Sequence, residues 1–128
     1  MANIFDFIGR ILISSVFLFS GYNKIFNYGA TVNWMEGFNI PGFLLTPAIA
    51  IEIIMPIMLI IGYQTRVAST TLALFSIATA VIFHLDLSNQ MQTVALLKNL
   101  GLAGGLIFIA IHGTKDWALE KKKKYVRL

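Results

Sequence analysis

The sequence predicts an all-α integral membrane protein, a four-helix bundle with both termini cytoplasmic. Three observations predict it. Hydrophobic residues make up 57% of the 128-residue chain and charged residues only 12%, whereas a soluble domain carries about 25% charge. Four apolar runs are each long enough to supply the roughly 20 residues that a helix needs to cross a bilayer. The basic residues are also unevenly placed: six of the ten lie between Lys115 and Arg127. That placement fits a tail beside an anionic leaflet and not a nucleic-acid surface, so the expected partner is the lipid bilayer and no nucleic acid. The length allows one domain, residues 1–128.

The first span is expected at 4–26. Asp6 and Arg10 fall where a signal peptide would carry its apolar stretch, and no small-residue cleavage site follows, so the run reads as a retained helix. Arg10, Ser14, Phe17, Gly21 and Lys24 recur at helical spacing and share one face. Arg10 reads as an anchor to nearby headgroups. Lys24, beside Asn23 and Gly21, reads as part of a polar cluster at the other end. The connection 27–45 interleaves Trp34, Met35, Phe38, Ile40 and Phe43 with Asn33, Glu36 and Asn39. Such a segment lies in the interface, with one short amphipathic helix.

The second span, 47–63, opens on Thr46 and Pro47, a residue that caps and a residue that needs no donor. The tight GYQT connection at 62–65 makes spans two and three antiparallel neighbours. Span three, 66–87, carries a weakly polar stripe of small residues, Ser69, Ala73, Ser76 and Ala80, that ends at His84. Small residues there favour close helix packing. In span four, 92–112, Lys98, Gly101, Gly105, Phe108 and His112 follow spacings of 3, 4, 3 and 4 and so share a face. Gly101 and Gly105 form a GxxxG pattern on it. That face is expected to pack inward and to take Lys98 with it. The basic tail, 113–128, follows.

Arg10, Arg66 and the tail fall on one side, Lys24 and Lys98 on the other. By the positive-inside rule the first side is cytoplasmic. A reporter fused after Leu128 is therefore expected to stay inside, and one placed within 27–45 to be exported. Export at the C-terminus would reverse the assignment.

Which chemistry do these residues allow? The chain has no cysteine, which removes thiolate nucleophiles, cysteine-ligated zinc and iron–sulfur clusters. No nucleotide loop, nucleophile motif or metal-ligand cluster is present, and no catalytic residue is assigned. His84 and His112 belong at opposite ends of antiparallel spans and cannot share one haem. No covalently bound cofactor is expected. Polar residues inside the spans are the better guide, since a lysine in hydrocarbon costs at least ~2.5 kcal/mol. Glu52 lies six residues past Thr46, about 9 Å deep at 1.5 Å per residue. Lys98 lies at a similar depth in span four, so the two are expected to pair. Pro56 has no N–H for the Glu52 carbonyl. A substrate-binding cluster of Lys24, Glu52, His84, Lys98 and Asn99 is therefore expected at the outer end.

The stretches GRILISSVFLFSGYNKIF, GFNIPGFLLTPAIAIEIIMPIMLIIGYQTRVAS and LLKNLGLAGG together resemble the DoxX family of small four-helix bacterial membrane proteins. Matching features run in order: Gly21 and Lys24, Ile40 and Pro41, Glu52, Gly62 with Thr65 and Arg66, and Lys98 with Asn99. The resemblance implies a multi-pass protein of the bacterial inner membrane. Some members of the family are subunits of quinone-linked oxidoreductases, including thiosulfate:quinone enzymes, and others are linked to oxidative or thiol stress. By that resemblance a quinone is the candidate ligand, and redox subunits or further copies of the chain are the candidate partners. The alternative is a non-enzymatic scaffold, assembly factor or small-solute permease, in which the same charges only fix the bundle. The absence of cysteine argues against a thiol relay in this chain.

Overall fold

The computed structural model describes residues 2–83 and 88–114. Within them the chain is helical, with α1 at Ala2–Phe26, α2 at Tyr28–Glu36, α3 at Leu45–Ile61, α4 at Thr65–Phe83 and α5 at Gln90–His112. No strand occurs among the described residues. Four stretches are long and apolar enough to cross a membrane: α1, α4, α5, and α3 together with the 3-10 turn Gly42–Leu44 before it. Their outer faces expose Phe5, Leu12, Phe19, Ile54, Leu74, Leu97 and Phe108. Lipid, not water, is the solvent for such a surface.

Helix boundaries follow local chemistry. α3 begins at Leu45, two residues before Pro47, and takes no side-chain cap. Thr46 does not cap it; its Oγ1 lies 2.9 Å from the Tyr28 hydroxyl and ties the start of α3 to the start of α2. The helix stops at Gly62, whose φ of 75° is a left-handed value that glycine adopts without steric cost. α5 begins earlier than the apolar run suggests, because Asn89 accepts a hydrogen bond from the Met91 N–H at 2.9 Å. The end of the expected third span, 84–87, and the basic tail from 115 onward lie outside the described residues.

The helices associate as two tight pairs. α1 packs along α3 and α4 along α5, and α3 meets α4 to join the pairs, while α1 and α5 touch only sparingly. Phe17, Leu59, Leu72, Ala73, Ala103 and Leu106 form the buried core where the pairs meet. α1 buries Arg10, Ser14, Phe17 and Gly21, the face its periodicity marks. α4 buries Ser69, Ala73, Ser76 and Ala80, the small-residue stripe, together with Thr65, Ala68 and Leu72. At Gly21 α1 approaches α3 closely. A Cβ there would lie 3.3 Å from the Glu52 Cβ and 2.8 Å from Ile53 Cδ1.

Two arginines fasten the same end of the bundle. The first four N–H groups and last four C=O groups of any helix lack intrahelical partners. Arg10, 1% exposed, donates through Nη1 to the Leu59 carbonyl at 3.0 Å and the Ile60 carbonyl at 2.8 Å, in the last turn of α3. Its Nε meets Asp6 Oδ2 at 3.1 Å. Arg66 does the corresponding job for the second pair, donating to the Ala110 carbonyl of α5 at 3.1 Å. Arg10 is therefore no headgroup anchor. It is a buried clamp between α1 and α3, because the antiparallel pairing sets it beside carbonyls that need a donor.

Candidate functional site

The site lies toward the other end of the bundle, where α1 ends and α3 begins. An α-helical side chain leans toward the helix N-terminus, so Lys24, in the last turn of α1, reaches back into the bundle. Its Nζ lies 2.7 Å from Glu52 Oε1 and donates to Ser20 Oγ at 2.6 Å. Glu52 is 2% exposed, whereas the Lys24 side chain is about a quarter exposed. Burying a carboxylate in a low-dielectric interior requires a partner of this kind. The close approach at Gly21 brings the two helices near enough to supply it.

Glu52 therefore pairs with Lys24 and not with Lys98. The expectation for α5 fails for a geometric reason. α5 buries Ala103 and Leu106 against its neighbours, and Asn99 sits on the same line one turn before Ala103. Lys98 is one residue, about 100°, further round the helix. It is exposed, as are Gly101 and Phe108. Lys98 lines a lateral groove between α1 and α5 with Ile13, Val16, Gly101 and Gly105. Its long stem is free to carry the ammonium toward the polar boundary.

Asn99 does join Lys24 and Glu52. All three line one cavity of about 210 Å³, together with Ser20, Ser76 and Thr79. Asn99 Nδ2 lies 3.4 Å from Thr79 Oγ1, a long contact that leaves most of the amide's hydrogen-bonding capacity unused. Ser76 Oγ is buried and has no hydrogen-bond partner among the described residues. Phe17, Trp34, Phe75 and Phe83 complete the walls. The site thus offers an ammonium, an amide and hydroxyls as donors, and one carboxylate as acceptor, inside an aromatic enclosure. His84 lies outside the described residues, as does Asp86. Among the described residues no group of three His, Cys, Asp or Glu side chains could hold a metal ion.

Ser20, Ser76 and Thr79 are the site residues that sequence reasoning did not single out for binding. For Ser76 the signal was present, since it stands in the small-residue stripe of α4. The stripe served as a packing argument, although its serine also faces the cavity. Thr79 lies three residues further along, within reach of the same face.

A family model described as DoxX matches residues 5–85. The inner membrane protein YqjF of Escherichia coli (strain K12) is 30% identical over 114 residues, which cover 89% of this chain and 88% of that protein. The inner membrane protein YphA of the same strain is 26% identical over 122 residues, covering 90% of this chain and 87% of that protein. No solved structure shows a significant match. With four membrane-crossing helices and relatives of nearly equal length in the inner membrane, the chain is a multi-pass inner membrane protein. It belongs to the DoxX family.

Proposed function

We propose that this DoxX-family protein holds a small hydrogen-bonding group in the Lys24–Glu52–Asn99 cavity. In this reading it serves as a membrane subunit or accessory of a quinone-linked or redox-stress oxidoreductase system, with the cavity facing outward. The observation that carries the reading is the unpartnered Ser76 hydroxyl, buried in the same cavity as a charged pair and an underused amide. Buried polar groups without partners cost free energy, and a ligand acceptor would satisfy this one. A quinone carbonyl or a sulfur oxyanion fits the donors present. A bound quinone supplies the two-electron, two-proton redox step. The chain's own residues bind and orient it: Asn99 and Ser76 donate to the acceptor oxygen, Lys24 holds Glu52 in place, and Glu52 exchanges a proton. The donor of electrons belongs to a partner protein, because the chain carries no cysteine and no motif for a redox centre.

Asn99→Leu tests this. The substitution removes the amide's hydrogen bonds and leaves Lys24 and Glu52 intact. Binding of a short quinone analogue, or of thiosulfate, to the protein in mild detergent is expected to weaken about tenfold, while unfolding stability moves by less than about 1 kcal/mol. If neither probe binds the unaltered protein with its membrane partners present, the cavity reading fails and a scaffold role takes its place.

A further inference from the structure

A second chamber adjoins the polar one. It has a volume of about 240 Å³ and lies beneath α2, between that helix and the facing walls of α3 and α4. Met35, Leu45, Ala48, Ile51 and Ile82 line it, so its surface is almost wholly apolar. Lys24, Trp34, Phe75, Thr79 and Phe83 border both chambers. The roof over the junction is built rather than incidental. The Trp34 ring stacks on Phe83 with centroids 4.4 Å apart, and Phe38 closes on the same ring edge-on at 5.1 Å. Midway along α2 the chain comes back so closely that a Cβ at Gly42 would lie 2.6 Å from Val32 Cγ1.

Each chamber alone is smaller than the roughly 300–1,000 Å³ of a small-molecule site; the two together reach that range. Their chemistry is complementary: donors and one acceptor on one side of the aromatic border, hydrocarbon on the other. Charge narrows the ligand further. At 2.7 Å the Lys24 ammonium is neutralised by Glu52, so the polar chamber offers no uncompensated positive charge to an anion. A neutral head is favoured over an oxyanion on that ground.

We propose that the ligand is a neutral, chain-bearing amphiphile whose carbonyl head sits among Asn99, Ser76 and Lys24 and whose apolar chain lies in the chamber beneath α2. The inference rests on the polar cavity being a binding site and adds the class of molecule that fills it. A lipid-soluble ligand also fits the setting, because it partitions into the bilayer that surrounds the bundle.

The test compares two benzoquinone probes, one bearing no chain and one bearing a decyl chain, at equal micellar mole fraction. Intact protein is set beside Ala48→Trp, which fills the second chamber from α3, and Ala78→Leu, which narrows it from α4. The decyl probe is expected to bind the unaltered protein at least roughly tenfold more tightly than the chainless one, because the chamber walls pack on its chain more densely than fluid detergent tails do. Ala48→Trp and Ala78→Leu are each expected to erase that advantage while leaving chainless binding within about twofold. Equal binding of the two probes overturns the chain assignment and leaves the polar site standing. So does a decyl advantage that survives in either variant once that variant is shown to be folded. Failure of both probes to bind unaltered protein overturns the polar site itself, and this assignment with it.

Discussion

Arg10→Met is expected to destabilise the bundle by roughly 3 kcal/mol or more, measured by unfolding in mild detergent. Breaking a buried charged arrangement by removing one partner costs about 3–5 kcal/mol when the remaining groups stay desolvated. Arg10 is 1% exposed and joins three acceptors: the Leu59 and Ile60 carbonyls and Asp6. Methionine matches the length of the stem but donates nothing, so the last turn of α3 loses the donors that close it. Arg10→Lys is expected to recover only part of the loss, since an ammonium lacks the planar fork that reaches two carbonyls and a carboxylate together. Arg66→Met supplies the contrast. Arg66 is exposed and donates to the Ala110 carbonyl, so its loss is expected to cost less than about 1 kcal/mol. An Arg10→Met protein as stable as the unaltered one would mean that the guanidinium reaches the headgroups after all and that the clamp does not form.

Much of the bundle was legible from spacing alone, for a physical reason. On α1 and α4 the small and polar residues are few and recur along single stripes, and the stripes are the faces that the structure buries. Spacing failed on α5. That helix is apolar nearly all round, so neither hydrophobicity nor the two glycines distinguishes lipid from protein. No side chain lies within 4 Å of a Cβ placed at Gly101, and at Gly105 only Ile13 does, at 3.4 Å. Ala103 and Leu106 carry the contact instead. Arg10 was misread because a charged residue near the end of a span is ordinarily explained by headgroups. Antiparallel spans one and two set the start of the first beside the end of the second, where carbonyls lack partners; that signal was available in the topology. For the site, depth along the spans put Glu52 level with two lysines, Lys24 and Lys98, at one end of the bundle. It could not choose between Lys24 and Lys98, because the choice depends on rotation about α1 and α5.

The coupling of Lys24 to Glu52 makes that choice measurable. Lys24→Met leaves a carboxylate that is 2% exposed without its counter-charge, and is expected to cost about 3–5 kcal/mol, reduced to the extent that Glu52 takes up a proton. Glu52→Leu alone is expected to cost less, because the lysine side chain is about a quarter exposed and its stem can carry the ammonium toward water. The double variant Lys24→Met/Glu52→Leu replaces the pair with hydrocarbon, a change that is often neutral where the space is well filled. It should therefore be more stable than the sum of the single losses by at least about 2 kcal/mol. Lys98→Met combined with Glu52→Leu is expected to be additive to within about 0.5 kcal/mol, as for residues that share no partner. Four-protein unfolding cycles in one detergent provide both numbers. Additivity for Lys24 together with coupling for Lys98 would reverse the assignment and turn the glycine face of α5 inward. Coupling for Lys24 alone places the charged floor of the cavity between α1 and α3, where a neutral head could take the hydrogen bonds of Asn99 and Ser76 without displacing the ion pair.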